Sequence, residues 1–378
     1  MFRNYDAGFF IFISAVCLRL IYPIPFLSIS AQMLMFLLLL TKVRYIRLDV
    51  AVCTLSLAML ILIGNFYTMA PNYGLSKSLW IFSNLLLMFL LSHQSTEQLN
   101  KIKNSIELVA ILFFPIISAY FLSYLSSDLN IFSRFDANEA NPIILSQILL
   151  ILAISILVSE HKSVLKYGLF LGYLIMSVMT GSKGPILGLC LALFLVSFRY
   201  KNTRKVAVYT IMVTIIFFSL GGVLLDNLID GQIYEVIQNR YFGTSSENSV
   251  DSRLYTYLMA VNAFVSSGIL GICFGSGVGS FGYLYHGFDS AMYPHNILLE
   301  AMYENGLVFV LLFFGVIIWL LKHYFILLIQ GNKYDSFVFM LGCVTFMISM
   351  VTGDLGTNLY LYIFLGLAIG KVKSERSF

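Results

Sequence analysis

The sequence predicts an all-α integral membrane protein, from its composition and from the way its apolar residues are arranged. Of its 378 residues, 59% are hydrophobic and only 11% are charged, whereas a soluble domain carries about a quarter charged residues. The apolar residues form continuous runs rather than alternating with polar ones, which favours spanning helices over strands. Lipid is therefore the expected solvent, and residues 1–378 are expected to form a single polytopic membrane domain.

Twelve apolar segments are candidate spans, since a transmembrane helix needs roughly 20 largely apolar residues. They are residues 7–22, 25–41, 50–70, 79–92, 105–125, 142–159, 164–180, 185–198, 206–225, 305–321, 335–351 and 356–370. Several are short and two neighbours could be re-entrant, so 10–12 crossings are expected. The first segment has no small-residue cleavage site after it, which predicts a retained span rather than a removed signal peptide.

The basic residues in the connections orient these spans. With an even number of spans and both termini in the cytoplasm, one of the 23 basic residues, Arg19, lies inside the first span and 17 face the cytoplasm. The five that face the outer side are Lys77, Arg134, Lys183, Arg240 and Arg253. Because positive charge is disfavoured on that side, these five residues are candidates for a function.

The only long polar stretch, residues 226–304, separates the ninth predicted span from the tenth. A structureless loop of this length is unusual in a compact protein, so short helices are expected within it. Leu254, Leu258 and Val261 form an apolar stripe at helical spacing, which predicts a helix over residues 251–267. This loop is expected to carry much of any active site.

Arg253 lies at the predicted start of that helix. Asp251 is a plausible N-cap, which would put Arg253 in the first turn. The free N–H groups and the dipole of a helix N-terminus favour anions, and a guanidinium beside them would make a phosphate or pyrophosphate site. An interfacial helix with a snorkelling arginine explains the same pattern without a ligand.

Two turns that contain glycine are further candidate contacts on the outer side. Residues 274–282 read FGSGVGSFG, but no strand precedes them. A dinucleotide site is therefore not expected. The stretch is instead expected to form a tight turn that brings backbone close to substrate or membrane.

Residues 180–185 read TGSKGP and place Lys183 where its ammonium could reach a phosphate. A simple turn with one charge explains this second segment equally.

The segment PHNILLEAMYENGL begins a helix that continues into the tenth span. Pro294 suits the first helical position, and His295 follows it. The positive end of a helix lowers the pKa of an imidazole, which would keep His295 neutral and able to accept a proton. Asn296, Glu300 and Glu304 are spaced to share one helix face. A direct relay from His295 to Glu300 is not expected, because five residues turn a helix by roughly 140°.

Taken in order, these segments resemble the O-antigen polymerase and O-antigen ligase superfamily of bacterial surface-polysaccharide assembly. The resemblance rests on TGSKGP between two spans, NRYFGTSSENSVDSRLYTY, the glycine-rich stretch, and PHNILLEAMYENGL running into a span. It covers residues 180–320 closely. Lys183 departs from the pattern, since many relatives carry arginine there and lysine cannot grip a phosphate through two parallel hydrogen bonds.

The resemblance implies a glycosyltransferase of lipopolysaccharide biosynthesis in the bacterial inner membrane, with its active site facing the periplasm. It would move a growing glycan from undecaprenyl pyrophosphate onto a new lipid-linked repeat. His295 is the expected base and Arg253 the expected cation at the leaving pyrophosphate. The other residues expected to bind substrate are Arg240, Lys183, Arg134, Asn296 and Glu300. No metal, cofactor or nucleic acid is expected. The expected partners are the lipid-linked oligosaccharide, membrane lipid and a protein that regulates chain length.

Two alternatives remain open from the sequence. An O-antigen ligase would use the same chemistry to move finished glycan onto the lipid A core. A lipid-linked oligosaccharide flippase or another transporter would instead place polar groups near the bilayer midplane, on broken helices. Here Arg19 is almost the only deep charge, and the polar residues are concentrated in an external loop, which favours an enzyme.

Overall fold

The computed structural model of the chain describes residues 4–21, 26–43, 45–126, 142–159, 164–180, 182–197, 244–328 and 332–375. Within these ranges the regular structure is helical and no strand is present. The all-α fold class is therefore confirmed. The predicted span over residues 206–225 lies outside the described residues.

Fourteen helices occur in the described ranges, numbered here in chain order. They are α1 (Ala7–Ile21), α2 (Leu27–Leu40), α3 (Leu48–Asn65), α4 (Pro71–Ser92), α5 (Thr96–Ser126), α6 (Pro142–Leu157), α7 (Val164–Met179), α8 (Lys183–Ser197), α9 (Thr244–Ser266), α10 (Gly268–Phe274), α11 (Ser280–His286), α12 (Ile297–Leu327), α13 (Lys333–Val351) and α14 (Leu359–Glu375).

Every predicted span that falls in the described ranges coincides with one of these helices. Five helices, α3, α4, α5, α12 and α13, are long and apolar enough to cross a membrane. The remaining apolar helices that match predicted spans are shorter. The protein is thus a helical membrane protein, while the number of crossings and their orientation stay predictions.

The chain folds into two compact units. The first comprises Met1–Leu38, Asn100–Ser249 and Tyr324–Val344. In it, α6 packs against α7 and α8. The hydroxyl groups of Ser146 and Ser177 share a buried hydrogen bond of 2.7 Å between α6 and α7.

The second unit comprises Leu39–Leu99, Val250–His323 and Thr345–Phe378. Its helix α4 packs against both α3 and α14. A Cβ atom added to Gly366 of α14 would lie 2.6 Å from the Cβ of Leu91 in α4, so the small residue allows the two helices to approach closely. This unit contains both His295 and Arg253.

The start of α4 is fixed by a carboxylate from a distant loop. Pro71 lies in the first turn of α4, where a backbone N–H would have no partner within the helix, so proline loses no hydrogen bond there. The carboxylate of Asp289 accepts the backbone N–H groups of Asn72 and Tyr73, at 2.8 and 3.2 Å. A negative charge at this end of a helix is favourable. The loop that precedes α12 is therefore tied to α4.

Candidate active site in the second unit

The helix that carries Arg253 begins earlier than the sequence predicted. α9 starts at Thr244, so Asp251 is an internal residue and not the N-cap, and Arg253 lies well inside the helix. The anion site predicted from a helix N-terminus at Arg253 is therefore wrong. Residues 244–250 are rich in Ser, Thr and Asn, which compete with the backbone for hydrogen bonds and resemble a loop in sequence.

α9 nevertheless brings Arg253 to His295. The Thr256 hydroxyl donates to the carbonyl of Arg253 at 2.8 Å and lies 3.4 Å from the carbonyl oxygen of Pro294. The Tyr257 hydroxyl donates to the carbonyl of His295 at 3.4 Å. Thr256 and Tyr257 follow Arg253 by three and four residues, so all three lie on the same face of α9. That face packs on the backbone before α12, and the charge of Arg253 is near enough to act on the imidazole.

His295 precedes its helix instead of lying in the first turn. The side chain of Asn296 caps α12, since its Oδ1 accepts the N–H groups of Leu298 and Leu299 at 3.0 and 3.1 Å. The predicted start at Pro294 is therefore wrong. Asparagine is among the best capping residues, and its oxygen satisfies N–H groups that the helix leaves free. The Asn296 amide also donates to the Met350 carbonyl at 2.9 Å.

The backbone of His295 has an unusual conformation. Its φ of 57° is the only positive value among the non-glycine residues that the structure describes. Residues other than glycine rarely adopt this backbone region, and holding one there costs on the order of 1–3 kcal/mol of conformational energy. The imidazole packs edge to face against Tyr293, with ring centroids 4.6 Å apart. Strain of this kind persists where the surroundings hold it, and it is frequent at active sites.

The pKa of the His295 imidazole is lowered from its ordinary value. Partial burial is the main cause, the positive charge of Arg253 adds to it, and the carboxylate of Asp354 acts in the opposite direction. The predicted direction is confirmed, whereas burial and Arg253 were not predicted as its causes. The ring is therefore neutral at neutral pH and can accept a proton.

Glu300 lies in a buried ion cluster with Lys77 and Glu304. The Nζ atom of Lys77 is 2.5 Å from Oε1 of Glu300 and 2.7 Å from Oε2 of Glu304, and these side chains are at most 1% exposed. The sequence placed the two glutamates on one helix face and Lys77 on the outer side. It gave no indication that they pair across more than 220 positions in the chain.

The connection between α13 and α14 is attached to this cluster. The backbone N–H of Leu355 donates to the carboxylate of Glu300, at 3.1 Å to Oε2. In the neighbouring residue, Asp354, the carboxylate is buried and accepts the N–H groups of Gly356 and Thr357. Glu300 thus fixes the backbone beside Asp354, the residue whose charge acts on His295.

Asp354 was missed by reasoning from the sequence. Its signal is the segment TGDLGTN, a turn of Gly, Asp, Thr and Asn between the last two predicted spans on the outer side. The side chain of Asn84 in α4 donates to the carbonyl of Gly356 at 2.8 Å, and that of Asn358 donates to the carbonyl of Asp354. These bonds hold a polar turn rigidly next to apolar helices.

The glycine-rich stretch, residues 274–282, packs against α12 of the same unit. α12 breaks at Gly306, where φ is 74°. The N–H groups of Ser276 and Gly277 donate to the carbonyls of Tyr303 and Glu304 just before the break, at 2.8 and 2.9 Å. The backbone at Gly275 and Gly277 is thus packed against α12, while the approach of this turn to substrate or membrane stays a prediction.

Gly275→Ala should destabilise the second unit. Gly275 has a φ of 81°, and an added Cβ would lie 2.3 Å from the carbonyl carbon and oxygen of Glu304. Left-handed backbone alone costs roughly 1–2 kcal/mol for alanine, and the clash adds to this. We expect a clearly lower thermal unfolding midpoint for the protein purified in detergent.

Gly315→Ala in α12 is the matched control, because nothing lies within 4 Å of the added atom. It should be neutral or stabilising, by up to about 1 kcal/mol from helix propensity. Equal unfolding midpoints for the two variants would contradict the packing described for the glycine-rich stretch.

Three further predicted site residues are not among the described residues of the second unit. Lys183 is exposed at the start of α8, in the first unit. Arg134 and Arg240 lie outside the described residues. The described site therefore consists of His295, Arg253 and Asp354, supported by Asn296 and by the ion cluster of Lys77, Glu300 and Glu304.

Residues 168–315 match a protein-family model described as O-antigen ligase, Wzy_C. A search of curated proteins gives no match. The matched segment contains His295, Arg253 and Glu300, whereas Lys77 and Asp354 lie outside it.

Proposed function

We propose that this chain is a polymerase of the O-antigen polymerase and ligase superfamily, which the match over residues 168–315 supports. It transfers a growing glycan from undecaprenyl pyrophosphate onto a new lipid-linked repeat at the periplasmic face of the inner membrane. The observation that carries the proposal is the position of the strained residue His295, whose backbone is contacted by the helix of the predicted outer loop that also carries Arg253.

The proposed reaction is a displacement at the sugar carbon that bears the pyrophosphate. The oxygen of an acceptor hydroxyl forms a bond to this carbon, and the hydroxyl proton passes to the imidazole of His295. The bond between the carbon and the pyrophosphate oxygen breaks, and its electron pair leaves with the carrier. Arg253 stabilises the negative charge that grows on this leaving group, as a cation already in place before the reaction.

Two features support His295 as the base. Its lowered pKa keeps the ring unprotonated at neutral pH, which a proton acceptor requires. Once the ring takes a proton it becomes cationic, and the carboxylate of Asp354 then stabilises it, because opposite charges favour the charged form. Arg253 favours the neutral ring before the reaction, and Asp354 favours the protonated ring after it.

Glu300 acts in this scheme as a positioning residue. Its carboxylate is enclosed by Lys77 and accepts the N–H of Leu355, so it fixes the turn that carries Asp354. Asn296 has a similar role, since it caps α12 and bonds the Met350 carbonyl. Neither side chain needs to contact the sugar for the site to depend on it.

An O-antigen ligase is the second candidate. The description of the matching family model favours it. The same base and the same cation would serve, because only the acceptor differs: the lipid A core instead of a lipid-linked repeat. No change in the proposed roles of His295 and Arg253 follows from this alternative.

Deletion of the gene separates these functions on one lipopolysaccharide gel. If the chain is the polymerase, the deletion strain should carry single repeat units on the lipid core, and a plasmid copy should restore long chains. Loss of a ligase would instead leave long polymer on its carrier and none on the core. Loss of a flippase would trap single repeats inside the cell. Either of these last two patterns would contradict the polymerase.

A further inference from the structure

A short helix beside the site has no buried residue. α10 reads GILGICF, and none of its side chains is enclosed by the protein. Ile269 and Leu270 are 80% and 74% exposed. Leaving such side chains in water forfeits roughly 1.5–3 kcal/mol for each one that could be buried. Ile272 packs partly against the core, but the side of this apolar helix that carries Ile269 and Leu270 is not covered by the protein and needs another apolar environment.

The preceding helix extends this apolar surface. Leu254, Leu258, Val261 and Val265 of α9 are each at least 38% exposed and recur at helical spacing. A different side of α9, roughly 90–130° around the helix, is the packed one, because Ala260 and Phe264 belong to a core cluster with Phe281 and Tyr303. The exposed stripe is therefore a second apolar face of α9, and it is not the face that holds the fold together.

This surface is continuous with the outer ends of two candidate membrane spans. The Tyr67 hydroxyl, just after α3, donates to the carbonyl of Phe274 at 2.7 Å. At Gly306 in α12, an added Cβ would lie 2.4 Å from the backbone of Cys273. One turn beyond that contact, Leu311 of α12 is 73% exposed. The exposed face of α10 thus adjoins apolar surface of α3 and α12, two of the helices that are long enough to cross the membrane.

We propose that α10 and the exposed stripe of α9 form a membrane anchor that inserts into the lipid of the leaflet nearest the site. Gly268, with a φ of 71°, allows the sharp turn between the two helices. Amphipathic helices with a large apolar face lie in the membrane interface in this way. That the leaflet is the periplasmic one rests on the proposed function; the insertion itself does not.

The anchor would set the depth of the site. Arg253 precedes Leu254 but lies about 100° around α9 from it, on the face that holds the backbone of His295. Burial of the stripe in acyl chains would therefore leave the guanidinium at the level of the head groups. The diphosphate of a lipid carrier lies at that level. The anchor thus serves as a positioning surface that holds Arg253 where the charged group of a membrane-bound donor arrives.

Lipid quenching of a fluorescent label tests this proposal. The five native cysteines are replaced by alanine, and single cysteines labelled with NBD are introduced as Leu270→Cys, Leu258→Cys or Ser252→Cys. Ser252 is exposed and lies about 200° around α9 from Leu254, so it is the matched control. The labelled proteins are reconstituted in phosphatidylcholine vesicles, with and without doxyl-labelled phosphatidylcholine, and no donor or acceptor is added.

We expect strong quenching and blue-shifted emission at positions 270 and 258, and several-fold weaker quenching at 252. Water-like emission at 270 and 258, equal to that at 252, would overturn the anchor. Blue-shifted emission without lipid quenching would also overturn it, because protein would then cover the surface. The quenching experiment measures no glycan transfer. Its result therefore does not depend on whether the polymerase assignment is right, and the gel assay does not depend on whether the anchor inserts.

Discussion

His295→Gly should abolish glycan transfer while leaving the protein folded at least as well as the wild type. The variant removes the proposed base, which is worth typically 10²–10⁴-fold in rate. It also relieves the strain at this position, where φ is 57°, because glycine adopts such values freely. We therefore expect an unchanged or raised unfolding midpoint together with lipopolysaccharide that carries single repeat units only.

Two companion measurements separate loss of the base from loss of structure. His295→Asn keeps a side chain that tolerates left-handed backbone but has no basic nitrogen, so it should fold and be equally inactive. Imidazole added to purified His295→Gly should restore part of the transfer, because the variant leaves space where the ring was. Normal banding from either variant would remove His295 from the mechanism. Inactivity combined with loss of folded protein would assign it a structural role.

The parts of this protein that the sequence predicted well are those that depend on local chemistry. Continuous apolar runs predicted the helices, since a run of this kind has to be hydrogen-bonded within itself in lipid. The apolar stripe from Leu254 onward predicted most of α9. Arg253 was recognised because outer cations can be read along the chain. In each case the deciding interactions lie within a few residues of the pattern.

The parts that were missed depend on contacts between distant segments. Lys77 pairs with Glu300 and Glu304 across two helices, and no spacing in the sequence encodes that pairing. The pKa of His295 is lowered by burial and by Arg253, which comes from another helix. The glycine-rich stretch could be a loop that approaches a ligand or a turn that packs against the protein, since both require positive φ values. Only its contact with α12 identifies the packed turn.

Lys77→Met should be the most destabilising single substitution in the second unit. It would leave the carboxylates of Glu300 and Glu304 buried with no cation beside them. Removing one partner of a buried ion pair costs about 3–5 kcal/mol, because the remaining charge stays desolvated. We expect little folded protein by fluorescence-detected size exclusion in detergent, and a strongly lowered unfolding midpoint in what remains.

Neutralising the partners should reverse most of this loss. The triple variant Lys77→Met, Glu300→Gln, Glu304→Gln contains no buried charge in the cluster and should regain much of the stability. Glu304→Gln alone is the matched control: one ammonium still faces one carboxylate, and the Oε1 atom of Glu304 has no hydrogen-bond partner within the described ranges. Its effect should be small.

The same set of variants tests how the cluster reaches the active site. Glu300 holds the N–H of Leu355, next to Asp354, so the triple variant should fold yet transfer glycan poorly because the turn near His295 is less well fixed. If the triple variant were as unstable as Lys77→Met, lost packing of the lysine stem would explain the effect instead of unpaired charge. If it were folded and fully active, the ion cluster would stabilise α4 and α12 without positioning the catalytic turn.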